Sequence, residues 1–422
     1  LRRVAAASAL VAVVVLLLAG CGDRAAPNAT PSPDAGVALP GDFGGAGPGT
    51  LIDATSLPLV DRRLKAVTSQ LARITYASTS GVTNEPTEVT GTVFAPTGKA
   101  PEGGWPIIAF GHPTTGIRPE CGPSLSPTLM NLSSTILYFV KAGYVVTMSD
   151  FQGLGRDGYY HPYLDATTAA YNLIDSVRAV RKIVPETSDR WLAFGMSQGA
   201  QASWAANELA GQYGSGLNLV GSVSLSPPLD VSPLADLAAE GTLSPEQRPA
   251  YIALLATWAE EDPTVDLDRF RRGVVTQDWD LMLQCEYATS QERSDALDEV
   301  GPDDLRPADV ESTNAIRDQL LASTLPRTQT TAPALVIYGG QDTLIAPVWT
   351  DAALQRACDM GDVVDINLQA DKGHADIDVS STLPWVADRF AGVPAPDSCP
   401  SFVSPAEVTA PVTGEVTEDE GE

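Results

Sequence analysis

The chain has 422 residues, 44% of them hydrophobic, enough for one large core or two modest ones. Acidic side chains number 53 against 26 basic ones, a formal net charge of −27. Such a field repels phosphate backbones and speaks against nucleic-acid binding and against electrostatic docking on anionic lipid.

At the N-terminus, Arg2 and Arg3 precede an almost wholly apolar run over 4–18, which reads as an export signal. The run is short of the roughly 20 residues that a membrane span needs. It ends in Leu18-Ala19-Gly20-Cys21, which resembles the lipobox of bacterial lipoproteins. That resemblance implies a signal peptide over 1–20, acylation of Cys21 and anchoring to the outer face of the cell membrane; plain secretion is the alternative. Residues 22–50 are rich in Pro, Gly, Ala, Asp and Ser and are expected to form a flexible tether. Residues 403–422 end in Glu418-Asp419-Glu420-Gly421-Glu422 and are expected to be a solvated acidic tail.

Between these ends, 51–402 is expected to be one α/β domain. Residues 73–78 and 88–95 alternate like strands and carry β-branched side chains. Residues 106–111 form a fully apolar run closed by a glycine, as a buried parallel strand would. A helix is predicted over 129–142, closed by Gly143, then a strand over 144–148 and a helix over 166–184, stopped by Pro185. A strand over 191–194, a helix over 198–209 and a strand over 219–225 continue the rhythm. From about 229 to 331 it breaks into charged, helix-favouring sequence. Strands then return at 334–340 and 363–368, with helices near 348–360 and 383–390. The alternation predicts a mostly parallel sheet covered on both faces, with a helical cap inserted over the carboxyl ends of the strands.

The sharpest motif is Gly195-Met196-Ser197-Gln198-Gly199, directly after a strand and directly before a helix. That context is what a nucleophile elbow requires: the serine stands on a strained turn, and glycines two residues either side permit close chain approach. Ser197 is the expected nucleophile. A serine hydroxyl needs a base, and the chain has three histidines, His112, His161 and His374. Chain order in this fold selects His374, and Asp342, after the strand at 334–340, is the expected acid. Asp371 and Asp376 are rivals close to the histidine. An oxyanion hole needs amide donors, each typically worth about 3 kcal/mol of barrier. The expected donors are Gln198 and, from Gly111-His112-Pro113-Thr114-Thr115-Gly116, first Thr114 and then Thr115. Pro113 has no amide proton, and His112 reads as a structural hydrogen-bonder beneath the site. This chemistry needs no metal or organic cofactor.

Besides Cys21 there are four cysteines, Cys121, Cys285, Cys358 and Cys399, an even number that in an exported chain favours two disulfides. None has Cys-x-x-Cys spacing, which speaks against zinc. Four cysteines allow three pairings.

With these residues in place the chain resembles, over about 51–399, the secretory lipase family, which includes the lipase A type of yeasts and its actinobacterial relatives. The resemblance rests on the elbow, on His112-Pro113-Thr114-Thr115-Gly116, Cys121-Gly122-Pro123-Ser124 and Asp150-Phe151-Gln152-Gly153-Leu154-Gly155. His161-Pro162-Tyr163-Leu164 and Asp175-Ser176-Val177-Arg178-Ala179 extend it. Relatives more often have His-Gly at His112-Pro113, Ala at Gly122 and Gly at Ala200. The family implies hydrolysis of triacylglycerols or other esters, and disulfides Cys121–Cys285 and Cys358–Cys399. The first would tie the cap to the loop beside the oxyanion hole; the second would bracket and steady the loop bearing His374. Leu254, Leu255, Trp258, Val275, Trp279, Leu281, Met282 and Leu283 could contact an acyl chain, although packing among the cap helices explains most of them. Peptidase or acyltransferase chemistry on the same triad, and a non-catalytic surface lipoprotein, are the rival functions.

Overall fold

The computed structural model describes residues 36–286 and 291–404; the expected signal peptide, Cys21 and nearly all of the acidic tail lie outside the described residues. The chain begins with β1 (Leu51–Ser56), α1 (Arg62–Val67), β2 (Thr68–Thr79) and β3 (Pro86–Pro96). It continues through β4 (Trp105–Gly111), α2 (Ser133–Lys141), β5 (Val145–Ser149) and α3 (Ala166–Ile183). Then come β6 (Thr187–Met196), α4 (Gln198–Tyr213) and β7 (Asn218–Leu225). Cap helices follow: α5 (Leu234–Glu240), α6 (Gln247–Glu261), α7 (Gly273–Gln277), α8 (Trp279–Met282), α9 (Gln291–Asp298) and α10 (Val310–Leu321). The domain closes with β8 (Ala334–Gly339), α11 (Pro347–Asp359), β9 (Val364–Gln369) and α12 (Thr382–Ala391).

The strands form one sheet in the order β1-β2-β3-β5-β4-β6-β7-β8-β9. It is antiparallel from β1 to β5 and parallel from β5 to β9. Side chains alternate strictly between its faces, as the strand pleat demands. Ile107 and Ala109 of β4, Trp191 and Ala193 of β6, and Val336 of β8 pack with Leu173 and Val177 of α3 and Trp204 of α4. Their neighbours Ile108, Phe110, Leu192, Phe194 and Ile337 pack on the opposite face with Phe139 of α2 and Trp385 of α12. Large side chains buried to this degree contribute about 1.5–3 kcal/mol each to the folded state, and both faces supply many of them. The cap has its own core, in which Tyr251, Ile252 and Leu255 of α6 meet Val275, Met282, Ile316 and Leu320. Among the described residues the cap contains helices and loops but no strand, and it connects β7 to β8, which are parallel neighbours in the sheet.

Two expectations are corrected, and two elements lie where none was predicted. The helix expected over 129–142 starts only at Ser133, because Leu129, Met130 and Asn131 all take left-handed backbone angles. The tether does not extend to residue 50. Val37 and Leu39 pair with Ser56 and Ala54 next to β1, and the Asp42 amide donates to the Lys182 carbonyl while its carboxylate holds the Lys182 ammonium at 3.0 Å. Finally, β1 and α1 precede the part of the chain in which elements were predicted. Among the described residues no helix is long and apolar enough to cross a membrane.

Candidate active site

The site forms where β4, β6, β7, β8 and β9 end together. Gly111 closes β4 directly beside Gly195 of β6, so the 112–116 loop leaves the sheet next to the elbow. The approach is possible only for glycine: a Cβ on Gly199 would fall on the Gly111 carbonyl, and one on Gly195 on the Gly199 carbonyl. Ser197 takes φ +50° and ψ −119°, a strained conformation for a residue with a side chain. It is held there because its amide donates to the Leu225 carbonyl at 2.8 Å, while its own carbonyl accepts from Ala200 as α4 starts. The serine therefore stands at the N-terminus of a four-turn helix, where the backbone dipole favours negative charge.

His374 brings the three expected residues together. Its Nε2 lies 2.9 Å from Ser197 Oγ and its Nδ1 2.7 Å from Asp342 Oδ2. Asp342 is buried, and its Oδ1 accepts from the amides of Leu344 and Ile345, both at 2.9 Å. With its lone pairs so occupied, the carboxylate has one orientation. It requires the proton of a neutral imidazole to sit on Nδ1, which leaves Nε2 free to accept the serine proton. The histidine loop reaches across the end of β8 because residue 339 is glycine: a Cβ there would strike the carbonyls of Lys372 and Gly373. The rivals lie elsewhere. Asp376 accepts from the Gly373 amide at 2.6 Å, and it and Asp371 are exposed.

The expected oxyanion residues divide. Gln198 is the first residue of α4 and is buried. The Thr114 hydroxyl pairs with the Tyr163 hydroxyl at 2.9 Å. Thr115 is fully buried and its carbonyl accepts from the Glu286 amide, which faces it toward the cap. His112 lies beneath the loop with Nδ1 2.7 Å from the Pro113 carbonyl and Nε2 3.1 Å from that of Asp150; burial lowers its pKa. Glu286 was not singled out from the sequence. Burial raises its pKa, while the charges of Arg293 and His374 pull it back, so a cap carboxyl lies within electrostatic reach of the expected base.

Both disulfides form as the resemblance implied, Cys121–Cys285 and Cys358–Cys399. The first joins the cap to the segment after the 112–116 loop. The second brackets His374 in sequence, yet the Ser398 amide beside it donates to the carbonyl of Val364, the first residue of β9. It thus lies at the far end of β9 from the histidine, and the expectation that it steadies the base is not met.

Of the cap residues named as acyl contacts, Leu255, Val275 and Met282 are buried in the cap core. Leu254 and Trp258 line a cavity of about 250 Å³ bounded also by Tyr163, Glu261 and Leu320. Trp279 and Leu283 line a cleft of about 520 Å³ with Tyr160 and His161, along the seam between cap and sheet domain.

The model of the secretory lipase family matches residues 125–398. A Mycobacterium tuberculosis protein named "probable inactive lipase" is 24% identical over 392 residues, covering 87% of this chain and 84% of its own. Candida antarctica lipase A in its closed state superposes with a TM-score of 0.67 at 15% identity, over 85% of this chain and 86% of that one. A rice cell wall degrading esterase, LipA from Xanthomonas oryzae, gives 0.62 at 19% identity, over 82% and 95%. At such identities the two solved structures establish an α/β-hydrolase fold. The family model spans most of the chain, and on that match the chain belongs to the secretory lipase family.

Proposed function

We propose that this protein is a serine carboxylic-ester hydrolase acting on lipid esters, with triacylglycerols as the substrate class. The observation that carries the reading is the His374 bridge, 2.9 Å to Ser197 and 2.7 Å to Asp342. Ser197 Oγ attacks the ester carbonyl as His374 Nε2 takes its proton; Asp342 stabilises the imidazolium. Charge on the tetrahedral oxygen is met by backbone amides, that of Gln198 and one from the 112–116 loop. His374 returns the proton to the departing alcohol, leaving an acyl group on Ser197, and water repeats the sequence to release the acid. We place the enzyme outside the cell, anchored through an acylated Cys21.

The name of the Mycobacterium tuberculosis relative favours a second reading, a catalytically silent member of the family. Hydrolysis of p-nitrophenyl esters from acetyl to palmitoyl, by the protein without its first 21 residues and by Ser197→Ala, separates the two. Activity that persists toward long chains and falls by about 10⁶ in the variant supports the lipase. Activity confined to short esters moves the substrate toward smaller esters or other acyl groups. No serine-dependent turnover on any chain length leaves the silent reading standing.

A further inference from the structure

One short segment, His161-Pro162-Tyr163, touches both expected halves of the oxyanion hole. His161 is buried; its Nδ1 lies 2.8 Å from the Gln152 carbonyl and its Nε2 2.8 Å from Gln198 Nε2. A carbonyl can only accept, so Nδ1 carries the proton and Nε2 is the bare nitrogen that accepts from the Gln198 amide group. Among the described residues, the Gln198 side chain hydrogen-bonds to His161 alone. Two residues along, the Tyr163 hydroxyl meets Thr114 Oγ1 at 2.9 Å.

We propose that His161 and Tyr163 are positioning residues that aim the oxyanion donors, His161 through the Gln198 side chain and Tyr163 through the Thr114 hydroxyl. The proposal rests on the reading of Ser197 as nucleophile with these donors. The surrounding structure keeps the clamp rigid. The rings of His112, Phe151, His161 and Tyr163 form a continuous row beneath the site, with successive centroids 4.7, 6.4 and 6.1 Å apart. Thr257 of α6 donates to the His161 carbonyl at 3.2 Å, so a cap helix seats on the same segment. Burial lowers the His161 pKa to about 4, and burial raises that of Tyr163, so imidazole and phenol both stay neutral across the working range. An oxyanion donor acts only when aimed at the place where charge develops, and a displacement of about 1 Å costs on the order of 100-fold in rate.

The test compares wild type, Tyr163→Phe, Thr114→Val, their double variant and Gln198→Met. The readouts are kcat and KM on a p-nitrophenyl ester, affinity for an alkyl boronic acid whose tetrahedral Ser197 adduct places an oxygen in the hole, and Tm. Active sites are counted by titration with a phosphonate ester. Each single variant should lose about tenfold in kcat per titrated site, with KM within about twofold. Boronate affinity should fall by the same factor, a change that a purely structural role would not produce. Tyr163→Phe and Thr114→Val should not multiply, because they break one hydrogen bond from its two ends. Unchanged kcat and boronate affinity in Tyr163→Phe and Gln198→Met, with wild type active, would overturn the clamp alone. A multiplicative double variant would overturn the Tyr163–Thr114 arm. Absence of Ser197-dependent turnover in the wild type would overturn the hydrolase reading itself, and the clamp with it.

Discussion

The Ser226 hydroxyl donates to the backbone carbonyl of His374 at 2.8 Å, tying the end of β7 to the loop that carries the expected base. Ser226 holds this position at φ +49°, with its amide bonded to the Ile337 carbonyl of β8. One residue thus connects β7, β8 and the loop bearing His374. Ser226→Ala removes a hydrogen bond worth about 1 kcal/mol and lets the histidine loop drift. We expect kcat on a p-nitrophenyl ester to fall about tenfold with KM little changed. Ser226→Gly should lose the same factor in kcat without a matching loss of stability in urea, since glycine relaxes the positive φ. Wild-type kcat in either variant would show that the hydroxyl does not hold the base.

The two disulfides should separate stability from activity. Cys358 and Cys399 lie 41 residues apart in sequence and close the end of the sheet remote from the site. Replacing both by alanine should lower unfolding free energy by about 2–4 kcal/mol and leave kcat within about twofold of wild type. Cys121 and Cys285 instead hold the cap where the Glu286 amide meets the Thr115 carbonyl. Their removal should lower both stability and kcat. Equal kinetic effects from the two pairs, measured at a temperature where both variants are folded, would refute the division.

Glu261 should give stability a pH dependence of its own. Burial, with the Asp165 charge beside it, pushes its carboxyl up to about 7 from 4.5, against a hydrogen bond from Gln319 at 2.7 Å. The folded protein therefore holds this proton more tightly than the unfolded chain. That stabilisation is fully present below about pH 4.5 and is lost as pH rises through about 7. Glu261→Gln does not titrate. Its stability relative to wild type should rise by about 1–2 kcal/mol between pH 4.5 and 8, after allowance for solvent screening. Urea unfolding at both pH values measures it, and a constant difference would rule it out.

The sheet and the turn at Ser197 were legible because their physics is local. A buried parallel strand is an apolar run closed by glycine, as 106–111 shows, and the elbow announces itself by glycines flanking Ser197 at fixed spacing. What stayed hidden depends on contacts remote in sequence. Nothing near Val37 or Asp42 indicates that they lie against Ser56 and Lys182, and Leu129-Met130-Asn131 has ordinary helix-compatible composition. His161 and Tyr163 stood out as a motif without a role, since the role comes from Gln198 and Thr114, neither of them near in the chain. Ser226 offers no signal at all beyond its place at the end of a strand.

Asp342 permits a prediction about protons rather than shape. Its Oδ1 is engaged by two backbone amides and its Oδ2 by His374 Nδ1. In Asp342→Asn the carbonyl oxygen must stay with the two amides, because turning the group over would set an NH₂ against two N–H donors. The NH₂ then faces His374 Nδ1, which becomes an acceptor, and the imidazole proton moves to Nε2 opposite Ser197 Oγ. A histidine in that tautomer cannot take the serine proton. Turnover should fall about 10⁴-fold with Tm close to that of wild type. Because the imidazole can be restored only by deprotonating Nε2, the residual activity should climb with pH well past the point where wild type levels off. A loss of less than about tenfold, with wild-type pH behaviour, would show that Asp342 neither orients His374 nor fixes its tautomer.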